Sequence, residues 1–490
     1  MITGLIFDWA RRTPDKTAVI YNGQPWSYRS FAQCIAAARG YFARRDCLGP
    51  GHAVLAVNSL MDFWILGLAL RSQGLTTVSV PSAAAMDELG MLDIRCVVTN
   101  PAEAWPGLDS LCAARGLRLL HILPDGESAA EFNTSAEPGG HILRTSGTTG
   151  TYKMVLMSPD LEPVLMRSVA EAFCLNQDSV FCVFNFPPWT GVGYKVAVCT
   201  WSVGGSIVIE QGLEGHRALV HPGITHAVLI PAMLTAILSA PADAFPRNDA
   251  MQLIVGGGTM THTLIERAKA RITPHLFNSF ASTECGVVSV TPLDTPEDQR
   301  WHRILPGRAV EVVDDSDRPV PAGEIGRLRV GIDGGPTGYL HNETATQAFF
   351  KDGFFYPGDL AVIRSDGRMA LQGRLTDVIN VRGHKVSPAP IEDRLKEIFD
   401  VSGVCLLSMQ DENGEEEVHV VFESSTPMES ERLVSVVRQE LRGFPRARIH
   451  YVAVLSRNEM GKVLRQEVRA QVVAGQLPFA HTNQLSKARV

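Results

Sequence analysis

Between about residues 50 and 290, short apolar runs alternate with longer stretches of helical periodicity. The runs Ala53–Val57, Thr77–Val80, Leu117–Ile122, Val180–Phe184, Ser206–Ile209, His226–Ile230 and Gln252–Val255 are dominated by apolar and β-branched residues, as strands buried on both faces are. Glu162–Phe173 and Thr261–Arg271 carry helical spacing, and Val54–Leu70 reads as a strand followed by a buried helix. This alternation predicts parallel sheets covered by helices. From about 300 to 375 the texture changes. Runs such as Val310–Val313 and Arg327–Val330 are separated by the turn residues Asp314–Asp317 and Pro321–Glu324, which predicts a β-rich subdomain, a small barrel. After Gly373 the pattern is mixed: helices at Pro390–Phe399 and Ser430–Arg442, strands at Val404–Ser408, Glu417–Glu423 and Tyr451–Val454. The expected fold is α/β, with a large N-terminal domain (1–375) of two parallel-type sheets plus the β-barrel subdomain, and a small α+β C-terminal domain (376–490). The tail after about Ala474 is polar and is expected to be disordered.

Composition narrows the class. The chain has 490 residues, 45% of them hydrophobic and 20% charged, enough to bury a sizeable core. A net charge of −7 and the lack of a long Lys/Arg run give no nucleic-acid footprint and no basic membrane patch. No stretch reaches the roughly 18–20 apolar residues of a membrane span. Met1–Arg11 lacks the basic start of a signal peptide, and Asp8 interrupts its apolar run. The expectation is a soluble, cytoplasmic protein with neither nucleic acid nor membrane as partner. The nine cysteines are irregularly spaced and form no CxxC pair, which argues against zinc and against a disulfide framework.

Candidate chemistry starts at His141–Lys153. An apolar strand feeds Thr145-Ser146-Gly147-Thr148-Thr149-Gly150, and the segment ends on Lys153. Glycines let backbone N–H groups approach a polyphosphate, hydroxyls add donors and the lysine adds charge. The spacing is not GxxxxGK[ST], and on composition alone a flexible linker fits as well. Other segments are ambiguous when taken singly. Gly256-Gly257-Gly258 also suits a tight strand-to-helix turn. Thr283-Glu284 also suits helix capping, Pro357-Gly358-Asp359 a plain turn, and Lys462 a surface position.

Taken in order, these segments resemble the adenylate-forming superfamily of acyl-CoA synthetases, nonribosomal peptide adenylation domains and firefly-type luciferases. Ser146–Lys153 is similar to the family's S-G-T-T-G-x-P-K-G loop, with Tyr152 for Pro and Met154 for Gly in the residue that follows. Asn278–Gly286 resembles aromatic-G-x-T-E, with Ala281 for Gly, and Tyr356–Leu360 resembles T-G-D-L, with Pro357 for Thr. Gly373–Gly383 is similar to the hinge segment G-R-x-D-D/K-x-I-K-x-x-G, with Thr376 at the hinge position. Met460–Arg465 resembles the segment that carries the family's C-terminal lysine. Six motifs span about 320 residues.

The resemblance implies an acid–thiol ligase that uses ATP and Mg²⁺ to form an acyl-AMP and then transfers the acyl group to coenzyme A. It implies that Thr145, Ser146, Gly147, Thr148, Thr149, Gly150 and Lys153 hold phosphates, and that Gly257, Gly258, Phe280 and Thr283 run along the adenine. Asp359 would take the ribose hydroxyls, Arg374 ribose and phosphate, and Glu284 with Thr148 the Mg²⁺. Lys462 would bridge the attacking carboxylate and the α-phosphate. The C-terminal domain would be mobile, rotating about Thr376 to bring Gly383 and His384 to a thiol channel. Alternatives are a stand-alone enzyme that loads the phosphopantetheine of a carrier protein or an amine, and a non-catalytic nucleotide-binding relative.

Relatives that activate α-amino acids place an Asp in the segment corresponding to Phe184–Gly193, which here has no acid; an α-ammonium would be buried there without a partner. Many acyl-CoA ligases carry an aromatic-His pair where this chain has Trp189-Thr190. Trp189, Gly191 and Gly256 are then expected to border an apolar, neutral pocket for an unaminated aromatic or aliphatic acid, although Trp189 reads equally well as core.

Overall fold

The computed structural model describes residues 1–484 apart from 103–104, 123–131, 136, 147–151, 185, 211–214, 333, 382–383, 411–415, 425–427, 429, 443–445, 459–460 and 478. Two sheets are built from the first 292 residues. The larger has eight strands in the order Gly286–Pro292, Leu276–Ser282, Gln252–Gly256, His226–Leu229, Val180–Val183, Ser206–Ile209, Thr17–Tyr21 and Gln24–Ser27. Its inner pairings are parallel and the pair at each edge is antiparallel. The second has six strands in the order Leu119–His121, Ile94–Thr99, His52–Ala56, Thr76–Ser79, His141–Ser146 and Tyr152–Met157, parallel until the last pair.

Helices form a packed layer with these sheets. Leu60–Arg71 is apolar on nearly every side and so must be buried. It starts at Ser59, whose hydroxyl accepts from the Asp62 amide. Gly191–Ser202 begins in the same way, with Thr190 accepting from the Gly193 amide. Trp201 on that helix lies 4.9 Å from Phe31 and meets Trp64 edge-on at 5.0 Å. Each indole N–H finds a carbonyl, Trp64 at Gly193 and Trp201 at Ala18. One ion pair is sealed inside this layer. Arg71 Nη2 lies 2.6 Å from Glu162 Oε1, Tyr194 donates to the same carboxylate, and the Ile2 amide donates to its other oxygen at 2.9 Å. The pair thereby ties three helices and the first turn of the chain together.

Residues 302–374 form a seven-stranded antiparallel sheet, the expected β-rich subdomain. Beyond it come the hairpin Ile379–Val381/His384–Val386 and a four-stranded sheet of Val404–Gln410, Glu416–Glu423, Arg446–Val452 and Phe479–Gln484. Leu395, Leu433 and Val437 pack on one face of this sheet with Leu406, Val420 and Phe422; Val468 and Val472 pack on the other with Cys405, Leu407 and Val421.

Two expectations change here. The tail after Ala474 is not wholly irregular, because Phe479–Gln484 pairs antiparallel with Arg446–Val452. A polar edge strand carries no apolar run to reveal it, since only its backbone is needed for pairing. The strand expected at Tyr451–Val454 is Arg446–Val452. Its apolar Ala447 and Ile449 alternate with the polar Arg448 and His450. All nine cysteines are free, eight of them buried. Among the described residues no helix is long and apolar enough to cross a membrane.

Candidate active site

A cleft of about 2430 Å³ opens where the parallel strands of the larger sheet end. Ligands of open α/β sheets bind beyond the carboxyl ends of strands. Its walls come from the ends of 226–229, 252–256 and 276–282, from the 359–374 region, and from segments 389–407 and 453–469.

The glycine-rich segment is flanked by two strands. His141–Ser146 and Tyr152–Met157 pair antiparallel, with Thr145 opposite Lys153 and Ser146 opposite Tyr152. Gly147, Thr148, Thr149 and Gly150 lie outside the described residues, as does the side chain of Ser146. Tyr152 receives the Arg144 guanidinium over its ring at 4.2 Å. The Lys153 ammonium lies 3.5 Å from the Phe349 ring centre and 5.0 Å from that of Tyr339. Burial holds Lys153 below the usual lysine range; Glu284 pulls it up and Arg374 pushes it further down.

Glu284 sits in the turn between Leu276–Ser282 and Gly286–Pro292, so Thr283-Glu284 caps no helix. Ser282 Oγ accepts from the amides of Glu284 and Cys285 and shapes the turn. The buried Glu284 carboxylate takes the Tyr339 hydroxyl at 2.8 Å and the Thr145 hydroxyl at 3.3 Å, both on Oε1. No described residue donates to Oε2. Among the described residues no group of three or more metal-ligating side chains forms. A single carboxylate with an oxygen free suits Mg²⁺, which keeps waters and takes phosphate oxygens instead of a protein cage. Tyr339 was not legible in the sequence, being 55 residues from Glu284.

Phe280 lines the cleft beside a register shift at Phe280/Ala281, which re-aims the strand end. Gly257 has φ +81°, and a Cβ on Gly256 would come within 3.1 Å of the Ser279 carbonyl, so the glycine turn is required by its backbone. Asp359 and Arg374 face each other across two antiparallel strands, and their side chains pair at 3.0 Å. Burial pushes the Asp359 carboxyl up, while Arg374 and Lys462 pull it down. Arg374 also donates to the Pro357 carbonyl at 3.1 Å.

Lys462 joins this group from far along the chain. Its loop is closed by bonds from the Asn458 amide to the Lys462 carbonyl and from the Lys462 amide to Asn458 Oδ1. A Cβ on Gly461 would touch Ile230 at 3.0 Å, so the loop lies against the strand end at 226–229. Water reaches Lys462 within the cleft. Crowding by protein and the field of Arg374 nevertheless hold it below the usual lysine range, while Asp359, Glu284 and Asp377 act the other way. Lys153, Arg374 and Lys462 thus converge on Glu284 and Asp359.

Thr376 is exposed in the short turn Leu375–Asp377 and donates to Asp377, which pairs with Arg465 at 3.0 Å. Gly383 lies outside the described residues; His384 pairs with Val381 in the hairpin, and its side chain also lies outside them. Trp189 is half-buried and lines the cleft, so it is wall and not core. Gly191 lies close to Thr283, 3.2 Å from its hydroxyl if a Cβ is added. The expectation of a neutral pocket needs correction. Lys195, four residues on, lines the cleft and donates to the Thr283 carbonyl at 2.8 Å.

A profile of the AMP-binding enzymes matches residues 6–340. The chain is 28% identical to a salicylyl-CoA synthase / salicylate adenylyltransferase of Streptomyces sp, over 96% of this chain and 93% of that one. It superposes on the amide bond synthetase of Marinactinospora thermotolerans with a TM-score of 0.79 at 21% identity, over 95% and 99% of the two chains. On o-succinylbenzoate coenzyme A synthetase from Bacillus subtilis, solved with ATP and magnesium, the TM-score is 0.80 at 17% identity, over 95% and 99%. The profile match extends over more than half of the sequence, so this chain belongs to the AMP-binding enzyme family, the adenylate-forming ligases.

Proposed function

We propose that this chain activates an unaminated carboxylic acid as its acyl-AMP and passes the acyl group to the thiol of coenzyme A. The observation that carries the reading is that Lys153, Arg374 and Lys462 line one cleft with Glu284 and Asp359, with Arg374 paired to Asp359 at 3.0 Å. In the first step a carboxylate oxygen bonds to the α-phosphorus of ATP and the bond to the bridging oxygen of pyrophosphate breaks. Two anions must approach each other, so the protein's task is to place positive charge where negative charge accumulates. Lys462 and Arg374 serve the α-phosphate, and Lys153 with the 145–150 segment serves the departing phosphates. Asp359 accepts from the ribose hydroxyls, and Phe280, Thr283, Gly257 and Gly258 border the base. Glu284, with Thr148, would hold Mg²⁺, which would supply charge neutralisation on the phosphate oxygens.

In the second step the sulfur bonds to the acyl carbon, AMP leaves, and the thiol proton is lost to solvent. Residues 1–375 and 376–490 act as two bodies that pivot at Thr376, withdrawing Lys462 and presenting Gly383 and His384 to the thiol. Trp189, Gly191 and Gly256 border the acyl group. The similarity to a salicylate-activating enzyme over nearly the whole of both chains supports an aryl acid. A carrier-protein phosphopantetheine and an amine are the competing acceptors. The test is acid-dependent pyrophosphate release over aryl, short, medium and long acids, followed by acceptor competition among coenzyme A, a carrier protein and an amine. Release with no acid at all refutes the reading; transfer to an amine in preference to coenzyme A refutes the thiol step.

A further inference from the structure

The helix Gly191–Ser202 buries Tyr194, Val196, Ala197, Val198, Cys199 and Trp201, while the half-buried Gly191, Val192 and Lys195 line the cleft. Lys195 therefore carries its ammonium to the cleft wall. One of its three N–H donors meets the Thr283 carbonyl. Lys195 forms no ion pair among the described residues, and Glu284, Cys285 and Cys199 act on it only through space. Burial holds it below the usual lysine range. A half-buried ammonium with donors left over has room for a further oxygen acceptor. It borders the cleft, one turn along the helix from Gly191 and beside Val192 and Val196. Its anchor, Thr283, adjoins Glu284 in sequence and touches Gly191 in space. The ammonium thus stands where the apolar wall meets the Glu284 end of the cleft.

We propose that Lys195 is a substrate-recognition residue, selecting a carboxylic acid that carries a second oxygen acceptor, a hydroxyl or a carboxylate, next to the carboxyl that is activated. This rests on the adenylation reading above. An oxygen at that place meets the remaining donors of Lys195, and a bound acid without one shuts water out and leaves them unmet. Phenolic and carboxylate oxygens share this chemistry, and the two arms of the test separate them.

The experiment compares pyrophosphate exchange for two matched pairs, 2-hydroxybenzoate with benzoate and succinate with butanoate, in wild type, Lys195→Met and Lys195→Arg. Wild type should favour the oxygen-bearing member of one pair by on the order of 10- to 100-fold in kcat/KM. The aryl pair marks a phenolic substrate and the alkyl pair a diacid. In Lys195→Met that ratio should fall to near one, and Lys195→Arg should keep part of it. Should Lys195→Met fail to fold, Lys195→Gln, which keeps a donor and loses the charge, carries the same comparison. If Lys195 only pins the Thr283 turn, both members of a pair lose rate equally and the ratio stands, which overturns the proposal. Equal rates within both pairs in wild type overturn it too. Exchange with no acid in wild type refutes the adenylation reading itself, whereas exchange with an unchanged ratio in the variant refutes only the role of Lys195.

Discussion

Replacing Glu397 by alanine tests whether the contact between the helix Pro388–Phe399 and the turn at 259–262 controls how long the C-terminal part stays docked over the cleft. The two oxygens of Glu397 accept from the His262 amide at 3.1 and 2.9 Å, and Gln299 Nε2 donates to one of them at 3.2 Å. The carboxylate stands at the first amide of the helix His262–Arg271, where the macrodipole favours an anion. Beside it, Asp393 accepts from the Thr259 hydroxyl at 2.6 Å, and Lys396 donates to the same residue's carbonyl at 3.2 Å. An exposed charge at a helix start is worth about 0.3–1 kcal/mol, and the side-chain bond from Gln299 adds about 0.5–1 kcal/mol. Glu397→Ala should therefore cost docking about 1–2 kcal/mol, a shift of roughly 5- to 30-fold in the docked-to-undocked ratio. In the proposed cycle Lys462 reaches the cleft only when docked, so acyl-AMP formation should slow towards that factor. Thioester formation from supplied acyl-AMP, which in that cycle uses the other orientation, should not slow. Quenched-flow measurement of the two half-reactions decides it. Unchanged adenylation, or equal loss in both steps, would refute the reasoning.

Lys462→Ala should reduce acyl-AMP formation by roughly 10²-fold or more, the scale of one lost transition-state contact, while transfer from supplied acyl-AMP survives; equal loss in both steps removes Lys462 from its assigned role. Thr376→Pro, which fixes φ near about −65°, should leave adenylation largely intact and strongly slow thioester formation, and full-rate transfer would put the pivot elsewhere. Glu162→Gln strands Arg71 in the core and should destabilise the fold by about 3–5 kcal/mol, read as a denaturant midpoint. Burial opposes ionisation of Glu162, but Arg71, Tyr194 and the Ile2 amide hold its carboxyl below the usual range. The stabilisation is thus complete above the ordinary glutamate range and is lost as pH falls through the depressed value. Wild type and Glu162→Gln should differ most near neutral pH and converge on acidification.

The core strands were legible because strands covered on both faces leave nearly continuous apolar runs; Ser206–Ile209 and Val404–Ser408 stand where the pattern puts them. Phe479–Gln484 was not, since an edge strand pairs through its backbone and needs no apolar run. Arg446–Val452 was seen only at its end because Arg446 and Arg448 mask the alternation of Ala447 and Ile449. Within the cleft, Glu284, Asp359, Arg374 and Lys462 were legible as spaced motifs, although each alone has a commoner use. Tyr339 left no local signal, because its role comes from a hydroxyl brought to Glu284 by the packing of Phe349 and Phe350 around its ring. Lys195 did leave one: it is the single charge in the otherwise apolar helix Gly191–Ser202.

Two kinds of contact hold the C-terminal part over the cleft, and they respond differently to ligand. The bonds of Asp393, Lys396 and Glu397 to Thr259 and His262 lie on the rim and touch no phosphate in the proposed reaction, so they set a baseline. Lys462 is different. Placing its ammonium beside Arg374 in a crowded site is opposed, and Asp359, Glu284 and Asp377 offset that only in part. In the proposed reaction a triphosphate and a carboxylate would supply the missing counter-charge, and departure of pyrophosphate would remove most of it. By linkage, whatever makes docking easier when ATP binds makes ATP bind more tightly when docked. In the proposed cycle the same residue would favour closure before adenylation and weaken it afterwards, which would give the proposed rotation a direction without a separate trigger. The rim bonds must then be weak for the cycle to turn over. A latch of several kcal/mol would outlast the loss of charge, whereas one of about 1–2 kcal/mol yields to it.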